Sequence, residues 1–205
     1  MSGDTPLSRE IGHRLDLDAY REDFGRHFWQ TGASGFWKLE RRQVFREPES
    51  ESWTAFANGD WRRALQLHES RRTAITDYNL KIARHGFRTW WVRVAEKPIT
   101  PYLQWELYLL RLRSQCGDNI RIIGADAVEP FEKAGRLPEV VTVGDEVMYE
   151  IDYDAAGHPD GGTRFVDGDK IVQWRALIQD LYRGGEEIES FFEREVAGLE
   201  PPQGA

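Results

Sequence analysis

"VAEKPITPYLQWELYLLRLR", residues 94–113, decides the fold. It is the tail of a longer run, "WWVRVAE" (90–96), that is rich in aromatic and β-branched side chains and alternates in polarity. That pattern predicts a strand. Lys97-Pro98 stops it. Thr100 then suits an N-cap, because its hydroxyl can accept from a free first-turn amide. Pro101 suits the first helical position, where a missing N–H costs nothing. Leu103, Leu107 and Leu110, with Trp105 and Tyr108, make the predicted helix (100–114) apolar over much of its surface, so it should be covered on more than one side. Gly117 ends it, and "NIRIIGA" (119–125) reads as a second strand. A strand, a helix of this length and another strand read as a βαβ unit with parallel strands.

Downstream, "EVVTVGDEVMYEIDYD" (139–154) holds two short strands around a tight turn at Gly144-Asp145, and "TRFV" (163–166) follows a longer turn. These predict an antiparallel meander on the edge of the βαβ unit. "DKIVQWRALIQDLYRGG" (169–185) is an amphipathic helix with Ile171, Trp174, Leu177, Ile178 and Leu181 on one face. Upstream, Asp60 caps a helix predicted over 61–86, and Ser52 caps a short one before it. "FWKLERRQVF" (36–45) fits neither a helical nor a strand period cleanly. The fold class is therefore α/β, or α+β: a mixed sheet with flanking helices. Residues 1–33 read as a peripheral N-terminal arm, 34–195 as one domain, and 196–205 as a disordered tail.

The chain has 205 residues and a net charge of −8, so non-specific attraction to nucleic acid is not expected of the whole molecule. The charge is uneven: residues 1–96 carry a net of +2 and residues 97–205 a net of −10. A basic front and an acidic back suit a polar partner, self-association or simple solvation. No apolar run reaches the roughly 20 residues that span a bilayer, and the start lacks the pattern of a signal peptide. The lone Cys116 excludes a disulfide within the chain and suits a reducing cytoplasm as a buried structural thiol. His13, His27, His68, His85 and His158 form no metal-ligand spacing, and no phosphate-loop, dinucleotide or nucleophile-elbow motif occurs. Neither a cofactor nor a metal is implied. "DYDAAGHPDGG" (152–162) has Asp152 and Asp154 spaced as in a calcium loop, but Ala156 and Thr163 fall where ligands belong, so it reads as a turn.

Parallel sheets place ligand crevices beyond the carboxyl ends of their strands. Arg93, Glu96, Thr100, Tyr102, Gln104, Trp105 and Glu106 cluster around such an end and are the candidate ligand-binding residues. The first-turn amides carry partial positive charge, and Trp105 could wall the mouth. The competing reading is a well-made helix start with core tryptophans. Lys38, Glu40, Arg41 and Arg42 are the candidate partner-binding residues, since arginines between aromatics can contact phosphates; a surface with internal ion pairs is the alternative.

"FWKLERRQVF", "RVAEKPITPYLQWEL", "CGDNIRII", "LPEVVTVGDEVMYEIDYDAAGHPDGG" and the last long helix resemble a domain-of-unknown-function family of actinobacteria over residues 34–183. Residues 98–107 are the most specific part; the ending "LYRGGEEIESFFERE" departs from the family pattern. The resemblance implies a regulatory setting, because such members lie beside helix-turn-helix regulators, and a domain similar to half of a phospholipase-D fold. The His-x-Lys motif of that superfamily is missing: Leu15, Trp29, Ser70, Phe87 and Asp160 stand two residues after the histidines. The expectation is a non-catalytic regulatory module that binds a partner, such as a helix-turn-helix regulator, or a small polar ligand. The alternatives are an enzyme using Glu96, Glu106 and Arg93 for acid–base work, and a direct DNA-binding protein.

Overall fold

The strand–helix–strand unit forms as its residues dictate. β3 (Thr89–Ala95) runs parallel to β4 (Asn119–Gly124), joined by α5 (Pro101–Gln115). The Lys97–Pro98 peptide is cis. Thr100 caps α5, its hydroxyl accepting from Leu103 N at 3.1 Å, with Pro101 at the helix start. The computed structural model describes residues 12–204.

The remaining strands are β1 (His13–Leu15), β2 (Phe36–Glu40), β5 (Val140–Val143), β6 (Val147–Tyr153), β7 (Pro159–Phe165) and β8 (Glu186–Glu187). Together they make an 8-stranded mixed sheet in the order β1-β7-β6-β5-β2-β3-β4-β8. β2, β3 and β4 are parallel, and β2 joins them to the antiparallel meander through β5. The ambiguous aromatic–basic segment is thus the strand at the centre. The meander's first turn needs Gly144: its φ is +60°, and a Cβ there would lie 2.5 Å from Thr31 O.

Helices α1 (Leu17–Phe28), α2 (Glu51–Ala57), α3 (Trp61–Ser70), α4 (Arg72–Arg84), α6 (Gly168–Gly184) and α7 (Ile188–Glu195) surround the sheet. α6 covers one face: Ile171, Trp174, Ile178 and Leu181 pack on Trp37, Leu39, Val92, Val94 and Met148. On the other face α5 and α7 cover β4, while α1 sets Tyr20 and Phe24 against Val141, Val143, Val147 and Tyr149. α2 and α3 pack on α5 around Phe56, Ala64, Tyr102 and Trp105. α5 is therefore enclosed on more than one side, as its composition requires. Among the described residues, no helix is long and apolar enough to cross a membrane.

Several local expectations change. The helix predicted over 61–86 breaks at Arg71, which ends α3 and begins α4 without a side-chain cap. Ser50, not Ser52, caps α2; its side chain accepts from Trp53 N. Ser52 is instead buried, donating to Ala64 O at 2.9 Å and accepting from Trp105 Nε1 at 3.0 Å. The segment read as an arm supplies edge strand β1, paired with β7, and α1 on the sheet; its residues 1–11 lie outside the described residues. Nor does the closing segment run free over 196–204. Val196 is buried, and Glu200 O accepts from Gln104 Nε2 at 3.1 Å. Cys116 is buried as expected, with Sγ toward Arg72 O.

Candidate functional site

Side chains alternate across a strand. On β2 and β3, Trp37, Leu39, Val92 and Val94 face α6. Their neighbours Lys38, Glu40, Trp91 and Arg93 face the side of α1 and α5. Charged residues in the middle of a sheet must find partners, because an unpaired buried charge costs several kcal/mol. α5 supplies them. Arg93, 0% exposed, bonds through Nε to Glu106 Oε2 at 2.8 Å and through Nη1 to Val94 O at 2.9 Å. Its Nη2 also lies 2.8 Å from Glu106 Oε2. Lys38 Nζ sits 2.6 Å from Glu40 Oε1 and 3.8 Å from the centroid of the Trp91 ring. Glu40 Oε2 is buried, has no hydrogen-bond partner and lies 3.9 Å from Arg93 Nε. Glu139, just before β5, accepts from the amides of Arg41 at 2.9 Å and Arg42 at 2.6 Å. Tyr102 donates to Glu47 at 2.5 Å.

The shared burial shapes the charge states. Burial pushes the Glu106 carboxyl up to about 8, against the pull of Arg93. Burial, with Glu40 nearby, pushes Glu139 up to about 7. Burial also raises Glu47. It opposes charge on Arg93 as well, but Glu106 and Glu40 outweigh it and keep the guanidinium ionised. Burial thus favours the neutral form of Glu106 and Glu139.

Lys38, Glu40, Glu47, Tyr102 and Glu106 of this layer line a groove of about 810 Å³ between α1 and α5. Trp91, Phe45, Tyr102 and Tyr153 give it aromatic walls, and Leu17 and Arg21 of α1 form one rim. A volume of this size, with aromatic walls and a few convergent polar groups, is typical of small-molecule sites.

The strand-end crevice expected at Glu96 is closed. Residues 41–45 cross it, and Gln43 fills it: Nε2 donates to Arg41 O at 2.7 Å and Val94 O at 2.8 Å, while Oε1 accepts from Glu96 N at 2.8 Å. Thr100 donates to Gln43 O at 2.9 Å. Of the expected ligand residues, Arg93, Tyr102 and Glu106 converge beneath the groove. Glu96 turns away to Arg41 at 2.5 Å and Arg136 at 3.0 Å. Gln104 faces the closing segment, and Trp105 lies in the core beneath α2 and α3. Of the expected partner residues, Lys38 and Glu40 join the groove floor. Arg41 is buried and held by Glu96 and Glu132, while Arg42 stacks over Tyr153 at 4.7 Å. Glu47, Glu139, Tyr153 and Gln43 were not singled out in the sequence. The one available signal was that Lys38 and Glu40 interrupt the apolar side of a strand. Because Gln43 satisfies backbone groups on two segments, Gln43→Leu should cost about 1–3 kcal/mol. Urea denaturation measures it, and a loss under about 0.5 kcal/mol would contradict the plug.

The family described as a domain of unknown function (DUF6879) matches residues 22–193. The chain belongs to that family. The match runs from within α1 to within α7, so the DUF6879 domain includes the groove floor. No curated protein matches the chain.

Proposed function

We propose that this DUF6879 domain is a non-catalytic binding module. It holds a small polar ligand in the groove between α1 and α5 and serves a regulatory role through a partner protein in the cytoplasm. The observation that carries the reading is the groove itself: about 810 Å³ of space over the buried charged side chains of Glu40, Arg93 and Glu106. A sheet face built only for stability would carry apolar residues there. The motifs resembling a family found beside helix-turn-helix regulators support the regulatory setting.

A fragment screen by ligand-observed NMR tests the reading on three proteins. Leu67 lines the groove from α3 and is half-buried, so Leu67→Trp narrows the space without opening the core. Wild-type hits should bind Thr100→Ala unchanged, because Thr100 belongs to the closed crevice. They should lose most of their binding to Leu67→Trp. Identical hit lists for all three proteins would remove the groove as the site.

A second reading, an enzyme, is favoured by one observation: a carboxyl that keeps its proton to about 8 lines the groove. Such a group suits general acid catalysis near neutral pH. In that case a bound ligand is converted by the wild type and not by Glu106→Gln. A binding module returns it unchanged from both.

A further inference from the structure

A second pocket lies on the same face of the sheet, where α1 meets α4. It holds about 260 Å³ and shares only Lys38 and Trp91 with the groove. Phe24 and Phe28 of α1, Phe36 of β2, and Tyr78 and Ile82 of α4 wall it. Tyr78 is 39% exposed, and Phe24, Phe36 and Trp91 are only half-buried, so aromatic surface that burial would stabilise stays in contact with water. The charges inside are matched: Lys38 lies 2.6 Å from Glu40, and Arg113 lies 2.8 Å from Asp118. The interior is thus neutral and aromatic. Its volume falls below the roughly 300–1,000 Å³ of ordinary small-molecule sites and suits one large side chain.

The mouth is basic. Tyr78 meets Trp29 at 5.6 Å between ring centroids; Trp29 lies under Lys81 Nζ at 4.0 Å and beside the His85 ring at 4.9 Å. Arg84 follows one turn after Lys81. The carbonyl of Arg88 accepts from Phe36 N at 2.9 Å, which sets Arg88 beside the pocket wall. Arg26, near Trp29 in the chain, is taken up by Asp23. Lys81, Arg84 and Arg88 are exposed and have no carboxylate within ion-pair distance among the described residues. The acid nearest to them in the chain is Asp77, the only one on α4. From Tyr78 to Ala95 there are four cations and no acid, which leaves a net of −12 on the rest of the chain.

We infer that this pocket docks a partner protein through one aromatic side chain flanked by acidic residues. The ring enters among Phe24, Phe36 and Tyr78, and the carboxylates meet Lys81, Arg84 and Arg88. Charge complementarity selects this occupant. A short acidic segment spans the basic rim alone, whereas a long polyanion such as nucleic acid would run on over surface of its own sign. The site does not rest on the groove holding a ligand.

Fluorescence polarisation of the intact protein with labelled probes tests it, at an ionic strength of about 0.01 M where screening is weak. The probes are a peptide with tryptophan between two pairs of glutamates, the same peptide with alanine for tryptophan, one with lysines for the glutamates, and a single-stranded oligonucleotide of about ten nucleotides. The tryptophan–glutamate peptide should bind at least about tenfold more tightly than the alanine peptide, the worth of burying one ring. It should also bind more tightly than the lysine peptide and the oligonucleotide. The double variant Lys81→Glu, Arg88→Glu should weaken it by about tenfold at an unchanged Tm. Leu67→Trp, in the groove, should leave it unaffected. The comparison of probes on the wild type needs no variant, so it stands even if the double variant fails to fold. Equal binding of the tryptophan and alanine peptides, or no binding of either, overturns the anchor. Preference for the lysine peptide overturns the charge assignment, and tighter binding of the oligonucleotide gives the patch to nucleic acid. Loss of the peptide in Leu67→Trp moves it to the groove. A wild type that sediments as a dimer, and is split by the double variant, gives the site to a second copy of the chain instead.

Discussion

Arg93→Met should destabilise the domain by about 3–5 kcal/mol above neutral pH, the cost of stranding buried carboxylates without their cation. Arg93 is fully buried between β3 and α5 and holds Glu106 at 2.8 Å. Methionine nearly preserves the volume, so the loss reports charge and hydrogen bonding. The loss should shrink at lower pH, because protonated Glu106 and Glu139 no longer need the guanidinium. The sign in the wild type follows from the same groups. Both carboxyls are raised by burial, Glu106 to about 8 and Glu139 to about 7. Their ionisation opposes folding, so the stability they contribute is present at low pH and fades as pH rises through those values. Urea denaturation of wild type and variant at about pH 6 and about pH 9 measures both effects. A variant penalty that is equal at the two pH values would contradict the shared charge layer.

Trp105→Ala should be comparably damaging, at about 3–5 kcal/mol for a fully enclosed indole. Trp105 is 0% exposed, stacks on Phe56 at 5.8 Å between centroids and donates to Ser52 at 3.0 Å. It ties α5 to α2 and α3, the helices that wall the groove. Trp105→Phe should cost less, because it keeps most of the stacking and loses the bond to Ser52. His68 supplies a second readout. Burial lowers its imidazole to about 4, and its ring lies 5.0 Å from that of Trp105. With alanine at 105, water reaches the ring, and its titration midpoint by NMR should move up toward the ordinary histidine value. An unchanged midpoint would mean that the indole does not keep the site dry.

The architecture was legible where local chemistry and tertiary packing agree. Thr100-Pro101 fixed the start of α5, and the Ile-rich run after Gly117 gave the parallel partner of β3. Val140 to Tyr153 gave a hairpin. Agreement failed where a residue's partner lies far along the chain. Lys38 and Glu40 spoil the apolar period of β2 because Trp91 and Arg93 beside them, and Glu106 above them, complete a polar layer that no window of sequence contains. Arg93 and Glu106 were picked out for their place at a strand-to-helix junction. They meet instead one layer inward, since their side chains point onto the sheet face rather than past the strand end. Gln43, which closes that end, carries no sequence signal: its three hydrogen bonds go to backbone atoms of residues 41, 94 and 96. Arg71 broke a helix that its periodicity alone would have continued, since α3 packs on α5 at Trp105 while α4 turns toward Leu112 and Cys116.

The groove account is tested most directly by titrating the wild-type protein with the fragments whose binding Leu67→Trp abolishes and following the protein's indole N–H signals by NMR. Eight tryptophans report from different depths. The account predicts that the Trp91 signal, on the groove floor, moves most, while Trp174, fully buried between α6 and the opposite face of the sheet, stays fixed. A titration that leaves Trp91 unmoved, or that shifts backbone signals of residues 96–100 at the closed crevice instead, would contradict it.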